Sequence, residues 1–257
     1  MEDNRVLAVG AHPDDVEFLM SGTLSLLYKQ EFSIHIATIA SGDMGSVELT
    51  SREISSKRYQ EAVNSAEILE ATYQTIGESD LHIVFENPAR YKVAELIRKI
   101  DPYIVLTNSP QDYMMDHQLT ADLVWDACFS AAVPNYHTRQ PEPAEPIEHT
   151  PYLFYSDPIE GVNRFGERVR PEFYVDITSV MNIKEQMLAQ HDSQRSWLRE
   201  KHGLDQYIIS MKEWSEQRGK EISVKYAEGF RQHKGHPFPP DNILEKLMGN
   251  LIIQHTE

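Results

Sequence analysis

The sequence predicts an α/β protein: a Rossmann-like, mostly parallel sheet with helices on both faces, followed by C-terminal strands and helices. Three observations carry that expectation. Short apolar runs rich in β-branched residues alternate with segments of helical spacing, the order that builds a parallel sheet. Those runs are bounded by glycine, proline and aspartate, which punctuate strands and turns. Polar side chains also gather directly after three of the runs, where an open parallel sheet binds its ligands.

Taken in order, Arg5–Ala11 (RVLAVGA) reads as a buried strand, and Val16–Gln30 has apolar residues at Val16, Leu19, Met20, Leu24 and Leu27, spaced as on a helix. Ser33–Ala40 (SIHIATIA) is a second strand, followed by the glycine-punctuated loop Ser41–Gly45. Thr50 or Ser51 can cap a long helix running to about Thr72, with Ile54, Val63, Ala66 and Leu69 on one face. A short strand is expected around His82–Phe85, then a helix marked by Val93, Leu96, Ile97 and Ile100 and stopped at Asp101-Pro102. Tyr103–Thr107 (YIVLT) is a clear strand, and a helix begins near His117 with Leu123, Val124, Ala127 and Ala131 on its face. Residues 134–151 hold five prolines without periodicity and read as a long loop. Tyr152–Ser156 and Phe173–Ile177 are further strands, and helical patterns follow at Val180–Lys201 and Leu204–Gln217. Asp241 can cap a last amphipathic helix, which covers either the core or a second subunit; periodicity leaves both open, and with them a homo-oligomer. The whole of 1–257 is read as a single domain with a helical extension from about residue 180.

The bulk numbers narrow the partners. With 24 Lys and Arg against 40 Asp and Glu, the formal net charge is −16. Such a surface repels nucleic acid and anionic membranes. One cysteine, Cys128, excludes an internal disulfide framework and fits a reducing compartment; its helical position reads as core. No apolar stretch approaches a membrane span. An acidic start running straight into a strand does not resemble a secretory signal. A cytoplasmic protein acting on a small molecule is the expectation.

The chemistry lies at the strand ends. His12, Asp14 and Asp15 follow the first strand, Asp43 the second, and Asp112, Asp116 and His117 the YIVLT strand. His12 and Asp15 are three residues apart across a turn stiffened by Pro13, so both can face one ion, and His117 can complete a set of two imidazoles and one carboxylate. That set leaves an open position for water, the usual layout of a hydrolytic zinc site. Asp14 beside it is free to act as general base. Taken singly, each motif is also what a helix cap looks like; their convergence at parallel strand ends favours the metal. Asp116 either orients a ligand by hydrogen bonding or caps its helix.

AHPDDVEF followed by a distal DH opening a helix resembles the PIG-L/LmbE-type family of metal-dependent de-N-acetylases. The likeness extends through SGDMG, RYQEAVNSAEIL, VDITSVMNIKEQMLAQHDSQ and YAEGFR. It implies His12, Asp15 and His117 as metal ligands, Asp14 as general base, zinc or another divalent transition metal as cofactor, and an N-acetylglucosamine-type amino sugar or its conjugate as substrate. It further places Arg58 and Asp43 at the substrate, where residue type alone reads a solvated helix face and a turn.

One departure stands out. The family usually carries a further histidine three residues before the ligand histidine, thought to stabilise the oxyanion, and Met114 occupies that position here. A thioether donates no hydrogen bond. Tyr113 and His191 are candidate replacements, although His191 also falls on an apolar face with Met187 and Leu188, where it reads as core. Met114 also keeps open a metal-bound, catalytically silent sugar-binding protein, and an amidase of another conjugate. With Met115 it can form an apolar wall that favours a substrate with a hydrophobic part. His233 and His236 are spaced suggestively but read as ordinary loop histidines.

Overall fold

The computed structural model describes residues 4–194 and 206–254. Its strands are β1 (Arg5–Gly10), β2 (Ser33–Ala40), β3 (Thr72–Glu78), β4 (Ile104–Thr107), β5 (Tyr152–Ser156), β6 (Phe173–Asp176), β7 (Ala227–Gln232) and β8 (Ile252–Gln254). They form one eight-stranded sheet in the order β3-β2-β1-β4-β5-β7-β6-β8. The first five run parallel; β7, β6 and β8 add antiparallel. The strand order reverses at β1, with β2 on one side and β4 on the other, so the switch-point crevice opens at their carboxyl ends.

The helices are α1 (Asp15–Leu19), α2 (Ser21–Tyr28), α3 (Ser51–Glu67), α4 (Asn87–Ile100), α5 (Met115–Ser130), α6 (Met181–Leu188), α7 (Gln206–Glu221) and α8 (Ile243–Met248). Strand alternation sends β1 residues to two separate cores. Val6 and Ala8 pack with α1, α2, α6 and α7, while Leu7 and Val9 pack with α4 and α5. Burial on both faces is why β1 is apolar from Val6 onward.

Several boundaries differ from expectation. The segment 16–30 is two helices, parted at Met20, not one. Helix α3 is closed at its start by a reciprocal Thr50–Glu53 capping box and stops at Glu67, freeing the chain to form β3. His82–Phe85 is not a strand but loop, anchored by the buried Ile83. YAEGFR falls largely within β7. The 134–151 loop is pinned by Glu95 on α4, whose carboxylate accepts from Thr138 Oγ1 at 2.6 Å and from the Ala144 amide at 2.8 Å. The helical expectation at Val180–Lys201 is met by α6, and its last stretch, like Leu204 and Asp205, lies outside the described residues. Asn242, not Asp241, caps α8, whose Ile243, Leu244 and Met248 cover this chain's own core.

Candidate active site

Gly10 ends β1 where the chain must fold tightly: a Cβ there would lie 2.9 Å from the Asp15 Cβ. Asp14 has φ 114°, a left-handed backbone at a non-glycine residue, which costs roughly 1–3 kcal/mol. The turn is held by Asp15, whose Oδ2 accepts from the amides of Ala11 and His12, each at 2.9 Å. Ala11 also donates to Asn108 Oδ1 at 2.9 Å, tying the end of β1 to the end of β4.

That tie brings His117 to the turn. One ligand atom each of His12, Asp15 and His117 lies within 4.8 Å of the others, and all three residues are buried. His12 Nε2 is bonded to Asp116 Oδ2 at 2.9 Å, which leaves Nδ1 on the Asp15 side at 3.7 Å. His117 Nδ1 is bonded to Asp112 Oδ1 at 3.0 Å, which leaves Nε2 at 3.5 Å from Asp15 Oδ1. Each imidazole therefore has a carboxylate behind it and a free nitrogen facing a common point, the arrangement that orients histidine on a metal. Donor set and spacing fit a divalent transition metal.

The electrostatics agree with that fit. Burial draws the His12 pKa down, but Asp116 and Asp15 outweigh it and hold the imidazole at about 9. His117 is likewise raised, against its burial, by Asp15 and Asp112. Asp15 is held well below the carboxylate range despite burial, by both histidines. The cradle thus demands positive charge at its centre.

Asp14 stands beside it and belongs to a different set of contacts. Arg58 Nη2, from α3, donates to the Pro13 carbonyl at 2.6 Å and to Asp14 Oδ2 at 3.1 Å, and the Tyr207 hydroxyl bonds the same carboxylate. Burial raises the Asp14 pKa, with Arg58 opposing it. Arg58 is itself buried against the Ser41–Gly45 loop; a Cβ at Gly42, where φ is +74°, would lie 2.7 Å from its Cδ. The SGDMG glycine makes room for the arginine.

The remaining candidates divide. Asp43 does not line the cavity. Its oxygens accept from Ser79 Oγ at 2.6 Å and from the Asp80 amide at 2.8 Å, and it is Asp80 that lines the space. His191 is fully buried with its Nε2 3.2 Å from Glu17 Oε1, a core ion pair outside the cavity. Tyr113 lines the cavity, its ring edge-on to His117 at 5.5 Å, and burial raises its pKa, so the hydroxyl keeps its proton. Met114 lines it too, whereas Met115 does not. Cys128 is buried in the core. His233 packs on Phe238 and bonds the Tyr155 hydroxyl at 3.1 Å. Sequence reasoning placed Asp112 at the crevice without a role, and missed Asn108, Asp80 and Tyr207 as parts of the site. For Asp112 a signal existed, since an acid five residues before a ligand histidine can turn back on it.

The cavity over this floor measures about 410 Å³, within the range of small-molecule sites. Among the described residues, no helix is long and apolar enough to cross a membrane.

The family model described as PIG-L: GlcNAc-PI de-N-acetylase matches residues 7–128. The chain is 27% identical over 186 residues to 4-oxalmesaconate hydratase from Pseudomonas putida, covering 69% of each protein. It is 27% identical over 198 residues to diacetylchitobiose deacetylase from Thermococcus kodakarensis, covering 74% of this chain and 70% of that one. The crystal structure of 4-carboxy-2-hydroxymuconate hydratase from Pseudomonas putida superposes with a TM-score of 0.76 at 24% identity, over 93% of this chain and 98% of that one, a likeness of fold. The matched stretch runs from β1 into α5 and holds His12, Asp14, Asp15, Arg58, Asp112, Asp116 and His117, and over it the chain is similar to the PIG-L family.

Proposed function

We propose that the protein is a metal-dependent amide hydrolase that removes the N-acetyl group from an N-acetylglucosamine-type sugar or its conjugate. The observation that carries this is the His12–Asp15–His117 cradle with a separate carboxylate, Asp14, beside it on the same cavity floor. Two imidazoles and a carboxylate suit zinc, and also iron, nickel or cobalt. Such an ion supplies Lewis acidity for the attacking water and for the acyl oxygen.

The chain's own groups do the rest. Asp14 takes the water's proton on its carboxylate and returns it to the departing amine. Its raised pKa suits that exchange, and the Arg58 contact keeps the ionised form accessible. Asp112 and Asp116 fix the two imidazoles. Tyr113, protonated and over the cavity, donates to the developing oxyanion in place of the histidine that Met114 replaces.

The hydratase relative favours a second reading, addition of water across an activated double bond, which needs the same water activation. The described lining argues against it: Asp14, Asp15 and Asp80 face one arginine, already committed to Asp14, which suits a neutral amide better than a carboxylate anion such as an oxalmesaconate. The test is acetate release from N-acetylglucosamine and N,N′-diacetylchitobiose by metal-loaded protein. Acetamides left intact while an unsaturated carboxylate is hydrated would overturn the hydrolase in favour of the hydratase.

A further inference from the structure

Above its charged floor the cavity is walled by Met44, Val47, Leu81, Tyr113, Met114 and Ile159. Large hydrophobics left in solvent are normally scattered singly. Here four of them converge on one opening: Met44, Val47, Leu81 and Tyr113 are each more than two-fifths exposed, Val47 at 79% and Leu81 at 67%.

Leu81 has the most telling geometry. Its φ is +61°, a conformation that glycine adopts freely and a leucine adopts at a cost. Its amide donates to Asp116 Oδ2 at 2.7 Å, the oxygen that also holds His12. The backbone is thus pinned to the site in a strained form while the side chain stays in solvent at the mouth. Packing against the core gives no reason for leucine there, and strain of this kind collects where a ligand is engaged. Met114 adds a thioether to the same wall.

We propose that this collar binds an apolar substituent carried by the amide substrate, with Leu81 as a specificity-determining residue. The inference rests on the amide-hydrolase reading for its substrate class. The same apolar chemistry could sit on either side of the scissile bond, as an aryl or alkyl aglycone or as a longer acyl chain. Each methylene drawn from water into such a wall raises affinity about three- to fourfold, so a phenyl group or a short alkyl chain is expected to gain roughly 10- to 100-fold.

The experiment compares methyl and phenyl N-acetylglucosaminides, for the aglycone, and N-acetyl and N-hexanoyl glucosamine, for the acyl chain. Turnover is read as kcat/KM. Binding is read separately, by calorimetry of methyl and phenyl glucosaminide, which contain no amide to cleave. The expected result is a gain of at least tenfold in one arm, which names the side. Leu81→Gly removes the side chain from the mouth and is expected to lose most of that gain, read as the ratio of phenyl to methyl within the variant. Val47→Ser, on the exposed loop, is expected to lose a smaller part. Equal binding and equal kcat/KM across both series would overturn the collar even with the hydrolase intact. If every amide is inert but phenyl glucosaminide still binds tenfold tighter than methyl, the collar stands and the hydrolase reading falls.

Discussion

Removing the carboxylate of Asp112 tests the cradle without touching a ligand. Asp112 is fully buried, and its Oδ1 accepts from both His117 Nδ1 and the Met114 amide, each at 3.0 Å. Asparagine offers a carbonyl oxygen that can accept both bonds, so Asp112→Asn removes charge and spares geometry. A hydrogen bond to a charged group is worth about 1.5–3 kcal/mol against 0.5–1.5 for a neutral one, a difference of about 1 kcal/mol, or roughly fivefold in metal affinity. Asp112→Ala removes both bonds and frees the ring to turn, so its loss should reach the 10- to 100-fold range of such outer partners. Alanine also loses the turn bond to the Met114 amide just before α5, at about 1 kcal/mol of stability, which asparagine retains. A competition titration with a chromophoric chelator at fixed pH gives the affinities, and urea unfolding of the metal-free protein gives the stabilities. A folded alanine variant binding zinc as tightly as the parent would refute the reasoning.

Asp14→Asn should lower turnover about 10²–10⁴-fold and leave metal affinity within a few-fold, measured by acetate release and the same titration; equal losses in both would make Asp14 a ligand instead. Metal binding should strengthen as pH rises and flatten near 9, because a cation must displace the protons that Asp116 and Asp15 hold on His12. The metal-free protein should behave oppositely. A folded-state pKa of about 9 against an ordinary 6.5 adds stability that is complete below 6.5 and lost as pH climbs through 9, which thermal melts across that window would read. Far from the site, Lys184→Met should cost roughly 3–5 kcal/mol in urea unfolding. It strips the cation from buried Glu228, whose oxygens also take the Gly22 and Thr23 amides that open α2.

What the sequence reveals and what it hides follow from how local each interaction is. Strands β1, β2 and β4 are buried over most of their length, and their largely apolar, β-branched runs are visible in any reading. The edge strand β3 (TYQTIGE) is half-exposed and largely polar, so it carries no such signal. HIVF has the composition of a strand, yet the positive φ at Leu81 and the Asp116–Leu81 bond turn the chain away from the sheet. In β7, the buried Glu228 is explained by partners distant in sequence, the Gly22 and Thr23 amides and Lys184, and Gly229 by the close approach of Asp157 and Pro171. The site divides the same way. His12, Asp14 and Asp15 are adjacent in the chain, and the DH pair opens a helix, so both motifs are visible in order. Asp43 sits in the right loop but has both oxygens tied to Ser79 and Asp80, a fact of loop closure that composition does not encode.

A single carboxylate oxygen on Asp116 serves both the His12 ring and the backbone of the loop that carries Leu81. An ion in the cradle and a greasy guest at the rim would therefore be linked through that one oxygen. Any change the ion makes in the hold on the guest would be matched, by the same factor, by the change the guest makes in the hold on the ion.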